Sequence, residues 1–160
     1  MRRGRRGAAG LGWLVPLLAL AGILTGASRC LADPNQVLYE LGECCGRQTR
    51  EIFSKDWRDG QFIKTNDGTL VQADFENHFN AALNKCFYLL TANYTIPKGS
   101  SFIHATWIIL TDVNDNHEVG QLYWYDNRVA RCVVRQDSGE RTICVSEDQW
   151  RALIRPYMER

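Results

Sequence analysis

Phe102-Ile103-His104-Ala105-Thr106-Trp107-Ile108-Ile109-Leu110-Thr111, then Asp112-Val113-Asn114-Asp115-Asn116-His117, then Glu118-Val119-Gly120-Gln121-Leu122-Tyr123-Trp124-Tyr125, is the stretch that decides the fold class. The first run is dense in β-branched and aromatic residues and has the length of a buried strand. The last run alternates, setting Val119, Gln121, Tyr123 and Tyr125 against Glu118, Gly120, Leu122 and Trp124, the period of two that a strand requires. The six residues between them are a turn by composition, since Asn and Asp side chains satisfy their own backbone. Strand, turn and strand in succession make an antiparallel pair.

Downstream, Cys132 and Cys144 flank two short apolar runs separated by Asp137-Ser138-Gly139. A hairpin centred on Ser138 sets the two cysteines opposite one another, at the spacing of a non-hydrogen-bonded pair, close enough for a disulfide. Ser146-Glu147-Asp148-Gln149 is a capping box opening a last helix with Trp150, Leu153 and Ile154 on one side, which Pro156 should end or bend. Upstream, Phe75, Phe79, Ala82, Leu83, Cys86 and Phe87 recur at helical spacing behind Asp74 as a cap, and the expectation is a helix that passes into a strand near Lys85. Asn66-Asp67-Gly68 suits the turn of a hairpin between Phe62-Ile63 and Leu70-Val71. Asp33-Pro34-Asn35-Gln36 has the form of a helix start, and Val37, Leu38, Leu41, Cys45, Ile52 and Phe53 continue it to about Lys55. The expected fold is therefore α+β, an antiparallel sheet of four to five strands with helices packed on one face, stabilised by disulfides.

The chain opens with Arg2, Arg3, Arg5 and Arg6, then runs from Gly7 to Ser28 as 22 residues without a charge. This is the n-region and h-region of an export signal, with cleavage sites after Ala27 or Ala32. Residues 1–32 are read as signal peptide and 33–160 as a single domain. An uncleaved stretch of this length would span a bilayer, and a lipidated Cys30 is the other way to reach a membrane. Cleavage removes four or five arginines and no acidic residue, so the formal charge of +1 becomes −3 or −4. A mildly acidic domain without a basic run argues against nucleic acid as a partner.

In an exported chain, dispersed cysteines are read as disulfides. Cys132–Cys144 is the first bridge. The second joins Cys86 to Cys45 or Cys44, and Cys45 is favoured because it continues the Leu38–Leu41–Ile52 stripe. Cys44 is then free, or paired with a retained Cys30. No C-x-x-C spacing occurs, which removes the usual zinc ribbon and thioredoxin signatures.

The remaining chemistry is sparse. Asp112, Asn114 and Asn116 match positions 1, 3 and 5 of a calcium loop, but His117 and Tyr123 stand where Gly and Glu are required. No nucleophile elbow occurs, and His78, His104 and His117 share no motif. Asp74 with Glu76, and Glu147 with Asp148, fall at expected helix starts, where acidic side chains complement the helix dipole. The sequence calls for no metal and no cofactor. Trp107, Tyr123, Trp124 and Tyr125 are the candidate binding aromatics, with Trp124 sent to the opposite face by alternation.

Asn77-His78-Phe79-Asn80, Leu83-Asn84-Lys85-Cys86-Phe87, Asp112-Val113-Asn114 and Cys132 through Cys144-Val145-Ser146 resemble small exported proteins of Gram-negative bacteria. The likeness covers much of residues 74 to 158. It implies an envelope location and carries over no active-site residue. The expected function is that of a non-catalytic periplasmic or secreted binding or inhibitor-type module for an envelope protein or glycan. The alternatives are a thiol-dependent enzyme or redox protein using Cys44 or Cys45, and a membrane-anchored envelope component.

Overall fold

β-Branched and aromatic residues from Leu70 onward, broken at short intervals by Asn, Asp and Gly, fold as one antiparallel meander. The computed structural model describes residues 34–58, 62–136 and 138–159; the expected signal peptide and the expected Asp33 cap lie outside them. Helix α1 (Pro34–Trp57) precedes β1 (Ile63–Lys64), β2 (Leu70–Asn80), β3 (Lys85–Lys98), β4 (Ser101–Asp112), β5 (His117–Tyr125), β6 (Arg128–Arg135) and β7 (Arg141–Ile143), and helix α2 (Glu147–Met158) follows. The strands form a single seven-stranded sheet in sequence order, so four to five strands is corrected to seven.

The main correction is β2. The segment expected to be helical is a strand paired along its length with β3, Phe75 opposite Leu90 and Phe79 opposite Cys86. Phe75 and Phe79 are four apart, a spacing that fits one helical turn and also two strand repeats. Asn80 and Asn84 decide between them. The Asn80 side chain accepts from Leu83 N–H at 3.0 Å, and Asn84 sits at φ 52°, so the chain reverses between them. Asp74, expected as a helix cap, instead lies with Glu76 on one face of the strand. The Asn66-Asp67-Gly68 hairpin forms as expected, with Gly68 at φ 85° and Ile63 opposite Val71.

The helices pack on opposite faces, not on one. On α1, Phe53 meets Phe75, which in turn meets Tyr88, and these gather with Ala73, Leu90 and Ala92 into one core. On α2, Trp150 and Ile154 pack with Phe87, Leu110, Leu122, Cys132 and Val134. Strand alternation explains this directly, since Tyr88, Leu90 and Ala92 point one way and Phe87 and Leu89 the other. Each helix is pinned by a disulfide at or beside it. Cys45–Cys86, with Cα atoms 5.4 Å apart, ties α1 to β3; Cys132–Cys144, at 5.0 Å, closes the last hairpin ahead of α2. Cys144 N–H donates to Cys132 C=O at 3.1 Å, so this pair carries a ladder bond rather than occupying the non-hydrogen-bonded register expected. Leu38 and Leu41 are exposed, not core, because α1 reaches the sheet only from Cys45 onward.

Ser146 caps α2, accepting from Gln149 N–H at 3.2 Å, while the Gln149 side chain accepts from Val145 N–H at 3.0 Å. Pro156 does not end the helix, which runs on to Met158. Buried Asn80 reaches across from β2 and donates to Pro156 C=O at 2.8 Å, satisfying a carbonyl that the last turn leaves without a partner.

Candidate functional site

Register places the candidate aromatics. Trp107 on β4 lies opposite Tyr123 on β5, and Ala105 opposite Tyr125; opposed residues of an antiparallel pair share a face. Trp107, Tyr123 and Tyr125 therefore stand together, on the face that carries α1. Trp124 points the other way and packs against the α2 core, as the alternation implied.

Helix α1 packs on β2 and β3, so past Ile109 no described element covers this face. Trp107 is 36 % exposed and Tyr125 40 %, and the Tyr123 and Tyr125 ring centroids are 6.3 Å apart. The neighbouring strands add Tyr94, Ile96, Gln121 and Arg131, and these with Trp107 and Tyr123 line a depression of about 370 Å³. Two cross-strand neighbours of these rings are small: Ala92 stands opposite Trp107 and Ala105 opposite Tyr94, and both alanines are buried.

The polar groups at the rim are defined. Gln121 donates to Glu118 Oε1 at 2.8 Å, which orients its amide carbonyl away from that contact. The Tyr94 phenol is pushed above its ordinary value, first by burial and then by the Tyr123 phenol, so it is a neutral donor at pH 7. Arg131 stands opposite Tyr123 on β6. Sequence reasoning found the rings but not Tyr94, Gln121 or Arg131. The alternation of β5 held the signal for Gln121, whereas Arg131 and Tyr94 enter only through the registers of β6 and β3.

The Asp112–His117 turn is occupied by its own chemistry. Lys85 Nζ bridges Asp112 at 2.6 Å and Asp115 at 2.8 Å. Asp112 also accepts from Asn114 N–H at 2.9 Å, and Asn114 accepts from Cys86 N–H at 2.7 Å. The two carboxylates hold the Lys85 ammonium above its ordinary value, Asp112 contributing first, and Lys85 holds the Asp115 carboxyl below its own. Asp112, Asp115 and His117 present ligand atoms within 4.8 Å of one another, but the Lys85 ammonium already bridges both carboxylates, so the turn reads as a self-satisfied hairpin tip. Cys45 is consumed by its disulfide; Cys44 is free and half-buried. No described helix is long and apolar enough to cross a membrane.

Comparison with protein families, with curated proteins and with solved structures returns no match. The face is therefore read from its own geometry.

Proposed function

We propose that this protein is an exported, non-catalytic binding module whose ligand is a glycan lying on Trp107, Tyr123 and Tyr125. The observation that carries the reading is the gathering of Trp107 and Tyr123 with Tyr94, Gln121 and Arg131 around one open depression, with Tyr125 beside Tyr123, on the part of the sheet face that α1 leaves uncovered. Sugar rings present an apolar face of C–H bonds and a rim of hydroxyls. Aromatic faces take the first, while an amide, a phenol and a guanidinium take the second. A protein groove would be expected to show a deeper, more continuous apolar floor. Two disulfides are consistent with an oxidising compartment, which suits a periplasmic or secreted module.

The test is a glycan array of neutral and acidic oligosaccharides probed with the exported chain and with Trp107→Ala and Tyr123→Ala. Each substitution is expected to lower retention about fivefold or more, the scale of one lost stacking contact of about 1–3 kcal/mol on an open ring face. No glycan held above the Trp107→Ala signal would refute the reading. A second reading rests on Cys44, whose thiol is free among the described cysteines. In that case Cys44→Ser abolishes a thiol-dependent activity, and blocking the thiol does the same.

A further inference from the structure

The open face has a charge polarity that no linear stretch of the sequence displays. Three depressions run across it in series. The first lies between the β1–β2 turn and Tyr94 and Ile96; those two residues also line the aromatic depression. Arg131 is shared between the aromatic depression and the third, of about 440 Å³, which Val133, Arg141, Ile143 and Val145 also line. Through these shared residues the depressions follow one another from the β1–β2 turn to the β6–β7 edge, where Val129, Cys132 and Cys144 also line the third.

The two ends of the series differ. At the β1–β2 end the only charged lining residue is Asp67, which accepts from the Thr65 hydroxyl and from Thr69 N–H. At the β7 end stand Arg131 and Arg141, with Arg128 opposite Tyr125 beside them. No carboxylate lines either depression at that end, and none of these three arginines is in an ion pair among the described residues. The domain as a whole is net negative once the leader is removed, so the arginines are a local concentration rather than a general cationic surface. They sit at intervals of three and ten residues, which is why no basic run is visible; Arg131 and Arg141 meet at one depression, although the β6–β7 register pairs Arg141 with Arg135.

Resting on the glycan reading, we infer that the ligand is an acidic glycan whose carboxylates lie on Arg131 and Arg141, with its sugar rings on Trp107 and Tyr123. Guanidinium groups bind carboxylates through paired N–H donors, and more selectively than a diffuse charge does. The rings favour a sugar chain over an acidic peptide, because extended peptide presents no repeated apolar face at the level of each residue.

The experiment measures binding of the full exported chain to tetragalacturonate and to its methyl ester, which keeps the sugar backbone and removes the charge. Each acidic glycan on the array is likewise paired with its ester. The acid is expected to bind roughly tenfold more tightly, the lower end for hydrogen bonds to charged groups at an exposed site, and the advantage should shrink in high salt. Arg131→Gln with Arg141→Gln should abolish the advantage and leave ester binding in place, whereas Trp107→Ala weakens both forms. Equal binding of acid and ester, still weakened by Trp107→Ala, would overturn the inference and leave the aromatic platform standing. Binding of neither form by any pair, or indifference to Trp107→Ala, would overturn both. Tetraglutamate binding as tightly as the glycan, and independently of Trp107, would overturn the glycan class.

Discussion

Gly120 is the position where one methyl group tests the packing of α2 on the sheet. It lies on β5 between Leu110 and Val134, directly beneath the Trp150 indole. A Cβ there would lie 2.9 Å from Trp150 Cζ3, 3.1 Å from Trp150 Cη2 and 2.9 Å from the Val133 carbonyl oxygen. Carbon–carbon contacts settle near 3.5–4.0 Å, so the ring must retreat by roughly 0.5–1 Å. Trp150 is 1 % exposed and has no room to do so without losing contacts to Leu122 and Val134. The Val133 carbonyl belongs to β6 backbone and cannot yield without straining its pairing with β5. Overpacking of this kind costs about 1–3 kcal/mol, and the backbone contact places Gly120→Ala at about 2. For a domain of this size, urea unfolding with disulfides intact should be two-state. At a slope of about 2 kcal/mol per molar, the midpoint then falls by about 1 M. Trp150→Phe removes both offending ring carbons, so the double variant should lose less than the sum of the single losses by about 1 kcal/mol. A Gly120→Ala midpoint within about 0.2 M of wild type would refute the seating of Trp150 over β5.

Replacing Lys85 with Met leaves the Asp112 carboxylate, 1 % exposed, with backbone donors alone and should cost about 2 kcal/mol by urea midpoint. In wild type the depressed Asp115 carboxyl adds stability that is present above the ordinary carboxylate range and lost as pH falls through its lowered value; acid titration of Lys85→Met should lack that increment. Removing Cys45–Cys86, whose partners are 41 residues apart, should cost about 4 kcal/mol, against about 3 for Cys132–Cys144 at 12, if the loop-entropy account holds; the order of the two urea midpoints checks it. Asn80→Ala loses both the α2 carbonyl contact and the β2–β3 turn contact, and should destabilise by about 2–3 kcal/mol in the same assay. Burial, and after it Asp56, raises the Tyr88 phenol to about 12, so a late tyrosinate step in alkaline absorbance titration should vanish in Tyr88→Phe. Because that folded value exceeds the unfolded one, the stability it contributes is present below about 10 and lost as pH rises toward 12.

Local signals carried most of the sheet. β4, β5 and the Asp112 turn were legible because alternation and Asn/Asp turn chemistry agree there, and the Cys132–Cys144 hairpin followed from counting outward from Ser138. The β2 strand was not, because Phe75 and Phe79 satisfy helix and strand periods alike and the deciding contact, Asn80 with Leu83 N–H, is a turn signal with a helical background. Helix α1 was legible as a helix but not in its extent of burial. Leu38 and Leu41 obey the same periodicity as Cys45 and Phe53, yet only the disulfide to Cys86 reveals where the helix first touches the sheet. The facing of the helices was beyond reach for a related reason. Which side of a strand a helix covers depends on pairings between residues dozens of positions apart.

The same property explains why the rings were visible and their partners were not. Trp107, Tyr123 and Tyr125 are unusual residue types and stand out one by one, whereas an arginine among 19 basic residues acquires meaning only from its cross-strand neighbour. The two helices are offset as well as opposed: α1 covers β2 and β3 on one face, and α2 covers β2, β5 and β6 on the other. The outer half of the sheet is therefore shielded on one side only. Strands shielded on one side normally turn polar residues to the bare side. β4 and β5 instead place Trp107, Tyr123 and Tyr125 there, beside the buried Ala105. Folding alone does not call for rings at those positions, since polar residues would serve the exposed side. The proposed glycan would supply that reason, with Arg131 and Arg141 lining the depression at the β6–β7 end to meet its carboxylates.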